Sequence, residues 1–163
     1  MRLQIRLPQV LVAVAAAAFG SVGIALYTQH GLGMLPCPWC VLQRLIFVVI
    51  GLLALLAALG PRALRLPLVV LADGLAAAGL AAAMWQQFHA SKEPSCDMTL
   101  ADRIVSGLKL DALLPDVFMA LASCADATVD MLGISYAVWS GAMFVLLGLA
   151  LGWAVAFLLR SRP

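Results

Sequence analysis

Leu35-Pro36-Cys37-Pro38-Trp39-Cys40-Val41-Leu42-Gln43-Arg44 runs directly into the uninterrupted apolar stretch Leu45–Leu59, and that junction decides the fold. Prolines flank the first cysteine. Lacking an N–H, they stop a helix from passing through the pair from its N-terminal side and favour a start about here. Leu45–Leu59 would cover only ~22 Å as a helix, short of a ~30 Å hydrocarbon core. The helix must therefore recruit residues 39–44 to cross, which places Cys40 and Arg44 one turn apart at a membrane boundary.

The same pattern repeats outward from this segment. Val10–Thr28 has no charged residue, Leu66–Phe88 carries only Asp73, and Tyr136–Leu159 carries none. A chain that is 64% hydrophobic and 11% charged does not have the composition of a soluble domain. The expected architecture is an all-α membrane protein, an antiparallel four-transmembrane-helix bundle with a long periplasmic loop. One integral membrane domain over 1–163 is expected, with spans at about 10–28, 41–59, 66–88 and 136–159. The outer loops are then about 29–40 and 89–135. Arg2 and Arg6 ahead of an Ala-rich run imitate a secretory signal, but the apolar run continues through Ile24 to Tyr27. An uncleaved first span is the better reading.

The basic residues orient the bundle. Arg2 and Arg6 flank the start, Arg62 and Arg65 fill the turn between spans two and three, and Arg160 and Arg162 close the chain. These three places share one side, expected to be cytoplasmic. Gln29–Pro36 has no Lys or Arg, and Ala90–Ser135 sets Lys92, Arg103 and Lys109 against seven acids, net −4. All four cysteines then face outward, into the periplasm of a bacterial inner-membrane protein, a compartment that tolerates disulfides.

Within the long loop, Leu110, Leu113, Leu114, Val117, Phe118 and Leu121 follow a helical spacing, with Asp111 and Asp116 off the stripe. A short amphipathic helix is expected there, lying on the membrane surface or packed on the bundle end. Pro115 interrupts the pattern and marks a permitted helix start. Gly74, Ala78 and Ala82, and Gly148 and Gly152, recur every fourth position and suggest close helix approach.

Cys-x-x-Cys at a helix start lets two sulfurs bond or separate with little backbone movement, and the free N–H groups of the first turn stabilise a thiolate. Arg44, on the face of Cys40, is either an interfacial anchor or a stabiliser of a thiolate or of charge developing on a bound electron acceptor. Cys96 and Cys124 lie 28 positions apart. A disulfide between them is either a structural staple or a reactive bond in a polar, mobile loop with an exchange partner nearby. A four-cysteine zinc site fits less well, because zinc ribbons use two close pairs. Four cysteines allow three pairings, and spacing alone does not choose among them.

Taken together, Gln29-His30, Pro36-Cys37-Pro38-Trp39-Cys40 with Gln43-Arg44, Ser95-Cys96-Asp97, Leu110-Asp111 with Pro115 to Phe118, and Cys124 with its acidic-containing sequel resemble the DsbB family over nearly the whole chain. That family reoxidises the periplasmic dithiol oxidase DsbA. The resemblance implies a Cys96–Cys124 disulfide attacked by a reduced DsbA-like thioredoxin-fold partner, with Cys96 in the transient mixed disulfide. It implies that electrons pass to Cys37–Cys40 and then to a membrane quinone, ubiquinone or menaquinone, held near Cys40 and Arg44. Cys40 would be the quinone-facing thiolate. The chain departs from other members in enclosing Pro38 and Trp39 within the redox pair. His89 is a candidate for assisting proton uptake, weighed against a passive interfacial histidine, and His30 is weighed likewise. Asp73 reads as a packing or interfacial residue.

Two other readings compete. A vitamin K epoxide reductase type of enzyme runs similar chemistry on a similar bundle, but its Cys-x-x-Cys is expected late in the bundle. A non-enzymatic membrane scaffold with structural disulfides leaves Arg44 and the Cys-x-x-Cys unexplained.

Overall fold

The computed structural model describes residues 7–90, 99–126 and 130–161. Four long helices dominate it: α1 (Leu7–Leu32), α2 (Pro38–Leu59), α3 (Arg62–Phe88) and, after the long loop, α7 (Tyr136–Arg160). Each is long and apolar enough to cross a membrane. Their outer faces leave Leu52, Leu56, Val70, Leu71, Leu146 and Leu149 exposed, an apolar surface suited to lipid. The chain is a multi-pass, all-α membrane bundle.

α2 begins where the prolines require. Cys37 is its N-cap, with extended backbone (φ −87°, ψ 169°), and Pro38 occupies the first helical position, where its missing N–H costs nothing. The first helical hydrogen bond runs from the Val41 N–H to the Cys37 carbonyl at 3.1 Å.

The four helices form a ring. α1 packs on α2, α2 on α3 and α3 on α7, while α1 meets α7 over a shorter length. Leu11, Ile50, Val69, Phe144 and Leu151 are fully buried at its centre. The closest approaches occur at Gly51 and Gly79, where an added Cβ would collide with the Phe19 and Phe144 rings respectively. Phe144 is clamped from its other side by Phe47, the rings stacked with centroids 4.0 Å apart. The small-residue expectation thus holds only in part. Gly148 and Gly152 do face α3, near Ala76 and Asp73, but Gly74 and Ala78 point away from the core. Spacing of four marks a helix face without saying which face meets a neighbour.

Chain direction puts the α2–α3 turn, with Arg62 and Arg65, at the same end as Arg160. Cys37 and Cys40 lie at the other end. Arg2, Arg6, Lys92 and Arg162 lie outside the described residues.

The long loop differs from expectation. A helix not anticipated from the sequence, α4 (Leu100–Gly107), opens its described part, capped by the Thr99 hydroxyl accepting from the Asp102 N–H at 3.3 Å. The single amphipathic helix expected over 110–121 is two one-turn helices, α5 (Leu110–Leu113) and α6 (Pro115–Phe118). They break at Leu114 (φ −137°, ψ 65°) because a proline drives the residue before it out of the helical region. α4 and α6 dock on α2 through Val105 and Phe118 against Val41. Leu108, Leu113 and Leu114 stay exposed. A small hairpin, β1 (Asp130–Met131) with β2 (Ile134–Ser135), precedes α7. Leu132 (φ 57°) and Gly133 (φ 78°) form its turn, and two successive positive φ values match strand twist in a two-residue loop.

Candidate active site

The site is built at the cysteine end from parts of every long helix. Cys37, with no exposed surface, and Cys40, partly buried, hold their sulfurs 3.1 Å apart. A disulfide needs ~2.05 Å, so about 1 Å of movement separates the two redox states. The Cys37 thiol is pushed up, first by its hydrogen bond with Cys40 and then by burial.

Arg44 lies one turn below Cys40 and does not snorkel; only 5% of its surface is exposed. Its Nη1 donates to Gln29 Oε1 at 2.5 Å and to the Val117 carbonyl at 3.0 Å, and its Nη2 donates to the Ala25 carbonyl at 3.3 Å. All three acceptors are neutral, so none of them cancels the positive charge. The interfacial-anchor reading of Arg44 is replaced by a buried cation that ties α1 and the long loop to α2. Gln29 Nε2 in turn donates to the Asp116 carbonyl at 3.3 Å, and His30 Nε2–H donates to the same oxygen at 3.2 Å. His30 thus fastens the loop to α1.

Beside Arg44, a cavity of about 130 Å³ lies between α1, α2 and α7. Ile24, Phe47 and Met143 give it apolar walls, while Cys40, Gln43, Arg44, Tyr136 and Ser140 contribute polar atoms. Its size is on the order of one aromatic ring, since a dry cavity of ~150 Å³ accepts benzene. The hairpin covers it through Met131, whose carbonyl accepts from Trp139 Nε1 at 3.1 Å. Thr28 and Tyr136 share a hydrogen bond at 3.4 Å across the α1–α7 seam.

A feature the sequence did not disclose is a chain of buried side-chain amides. Gln43 on α2 and Gln86 on α3 are both buried. The Ser140 hydroxyl donates to Gln43 Oε1, Gln43 Nε2 donates to Gln86 Oε1 at 2.7 Å, and Gln86 Nε2 reaches Cys40 Sγ at 3.1 Å and Cys37 Sγ at 3.5 Å. The available signal was polarity inside apolar spans: an amide buried at membrane depth must find partners.

His89 falls elsewhere. It stacks on Trp85 with centroids 4.4 Å apart and lines a separate apolar groove of about 980 Å³ between α2, α3 and α4. It does not line the cavity beside Cys40. Asp73 faces Gly148 and Gly152 of α7, where an added Cβ would stand 4.0 Å from its Oδ1, away from the sulfurs.

Cys124 is disulfide-bonded and almost wholly buried, at 1% exposure, in the cluster that also holds Cys37, Ala90 and Ala101. The Leu121 and Ala122 N–H groups donate to the Pro36 carbonyl at 2.9 and 3.3 Å, pinning the segment before Cys124 to the Cys37 loop. The loop around Cys124 is thus docked rather than loose, unlike the mobile polar loop its composition suggested. Cys96, and with it Ser95-Cys96-Asp97, lies outside the described residues.

Comparison with known proteins points the same way. Residues 7–154 match the family model described as disulfide bond formation protein DsbB. Disulfide bond formation protein B of Ralstonia nicotianae is 40% identical over 154 residues, covering 91% of this chain and 92% of that protein. Its namesake from Aromatoleum aromaticum is 35% identical, covering 90% and 89%. The one from Pseudomonas syringae pv. tomato is 37% identical, covering 83% and 82%. A four-helix membrane bundle with a Cys-x-x-Cys at the head of α2, matched along nearly its full length, belongs to the DsbB family of membrane disulfide bond formation proteins.

Proposed function

We propose that this chain reoxidises a periplasmic DsbA-type dithiol oxidase and passes the electrons through two cysteine pairs to a membrane quinone, ubiquinone or menaquinone. The observation that carries the reading is that Cys40 and Arg44 line one ring-sized cavity in the α1–α7 seam. Residues 1–163 act as one integral membrane unit, with both termini cytoplasmic and residues 29–40 and 89–135 on the periplasmic side of the bacterial inner membrane. The low positive charge of the outer loops supports this orientation.

The relay balances as two exchanges and one oxidation. A thiolate of the reduced partner attacks Cys96, and Cys124 leaves as thiolate. Burial of Cys124 favours Cys96 as the sulfur attacked. The partner's second thiol then resolves the mixed disulfide, so the partner leaves oxidised and this chain holds two thiols. Exchange with the Cys37–Cys40 disulfide restores Cys96–Cys124 and leaves Cys40 as a thiolate facing the cavity. The lining fits a quinone ring: apolar walls, with Arg44 as a donor for a ring oxygen. A quinone supplies a sink for two electrons and two protons, and loss of those electrons re-forms the Cys37–Cys40 disulfide. Arg44 stabilises negative charge that develops beside Cys40, and in a water-poor site that electrostatic term is large.

The test is quinone reduction by purified protein supplied with reduced DsbA, for wild type, Cys40→Ala and Cys96→Ala. Wild-type turnover that both substitutions abolish establishes the relay and its two ends. Absence of wild-type turnover with both quinone classes removes the oxidoreductase reading in favour of a scaffold. Turnover that survives Cys96→Ala moves the partner's attack to Cys37–Cys40, closer to the vitamin K epoxide reductase pattern.

A further inference from the structure

We propose that Gln86 of α3 is a catalytic residue of the Cys37–Cys40 centre, its side-chain amide donating to the Cys40 sulfur and stabilising the thiolate form. The proposal rests on the redox reading of Cys37–Cys40, but it concerns the reduced protein alone.

Three observations support it. First, Gln86 is the side chain from outside α2 that hydrogen-bonds both sulfurs, at 3.1 Å to Cys40 and 3.5 Å to Cys37. Its amide N–H groups are donors only, so the sulfur is the acceptor, and a thiolate is a far better acceptor than a thiol. Second, Gln86 cannot trade this bond for water, because 6% of its surface is exposed. A buried amide without a partner is costly, so the side chain is held against the sulfurs. Third, its orientation belongs to a chain of hydrogen bonds that runs to α7. Ser140 on α7 donates to Gln43 Oε1, which turns the Gln43 amide N–H toward α3. Gln43 donates to Gln86 Oε1, which turns the Gln86 amide N–H toward the sulfurs. An isolated glutamine could face either way, and a serine hydroxyl can donate or accept; a thiolate at the other end only accepts, so it fixes the direction of every bond. Gln43 and Ser140 also line the cavity beside Cys40. They are positioning residues, acting on the sulfur through Gln86.

The arrangement divides labour between charge and dipole. Arg44 directs its donors at Gln29, Val117 and Ala25; Gln86 places a hydrogen bond on the reacting atom itself. Stabilising the thiolate favours the dithiol state over the disulfide, so Gln86 makes the pair a stronger oxidant toward the thiols that feed it.

The experiment is limited alkylation of the fully reduced, detergent-purified full chain by iodoacetamide, without quinone or partner. Modification of the Cys40 peptide is followed by mass spectrometry. Gln86→Leu removes the donor. Gln86→Met keeps the length and carries no donor, so it covers the case in which the leucine variant fails to fold. Both variants are expected to alkylate Cys40 about tenfold more slowly than wild type at neutral pH, the loss of one hydrogen bond to a charged group. At about pH 10, above the ordinary thiol range, their rates converge with wild type. Ser140→Ala moves the neutral-pH rate in the same direction by a smaller factor. Unchanged neutral-pH rates in both Gln86 variants would overturn the proposal. So would a loss of equal size at both pH values, which indicates altered access to the sulfur. Because no quinone is present, the outcome is independent of whether quinone turnover is observed.

Discussion

At the scale of single residues, the centre places one uncancelled cation and one amide around a pair of sulfurs 3.1 Å apart. Arg44 shows why lysine is no substitute. Its guanidinium reaches acceptors on α1 and on the long loop at once, from two nitrogens in a fixed plane. Arg44→Lys is expected to keep the charge and lose at least one of those bonds, raising KM for quinone about tenfold with a smaller change in kcat. Steady-state kinetics with a short-chain quinone checks this, and an unchanged KM would mean that charge alone suffices. Gln29→Ala is expected to have a milder effect in the same direction. It strips one acceptor from Arg44 and frees the Asp116 carbonyl from one of its two donors.

At the scale of elements, the bundle depends on Gly51 and Gly79, two glycines that the sequence did not single out. Gly79 lets α3 press against the Phe144 ring, which Phe47 holds from behind. A side chain at Gly79 has nowhere to go without displacing that ring. Gly79→Val is expected to destabilise the protein by about 1–3 kcal/mol, the usual cost of overpacking. Gly74→Val, on the same helix but with nothing within 4 Å of an added Cβ, serves as the control. Thermal unfolding in detergent should separate the two clearly; equal melting points would show that the α3–α7 contact is soft. In the loop, Gly133 at φ 78° completes the hairpin turn over the cavity. Gly133→Val is expected to strain that turn by about 1–2 kcal/mol and to slow the proposed quinone reduction through the displaced Met131. A wild-type rate would remove the hairpin from the site.

At the scale of the whole molecule, the ring of helices is tightest along α1–α2, α2–α3 and α3–α7 and thinnest along α1–α7, where the Cys40 cavity lies. On the function proposed above, a lipid-soluble quinone would meet the site from the membrane through this seam. The long loop closes the same end from outside, docked through Phe118 on Val41 and through the Pro36 carbonyl. Reporter fusions test the topology: an export-dependent phosphatase joined after Gly107 is expected to be active and one joined after Ser161 inactive. The reverse result would invert the proposed orientation, and with it the compartment of the cysteines.

Sequence alone determined the parts of this protein that depend on local physics. Uncharged stretches of membrane length must be helices, because backbone polar groups have no other partners in lipid. Pro36 and Pro38 set the start of α2 at the cysteine pair, and that start places Arg44 one turn from Cys40. Arg44 was visible as a cation at the membrane boundary on the face of Cys40. Which polar groups would meet was not visible, because partners from different spans are set by helix rotation, and periodicity does not encode rotation. Tertiary structure alone brought Gln86 of α3 to the sulfurs, turned Gly79 inward and Gly74 outward, and sent His89 to the far side of α2. It also buried Cys124, in a loop whose composition suggested mobility. The helices follow from the hydrophobic and hydrogen-bonding demands of the membrane on each segment; the site follows from how the four segments rotate against one another.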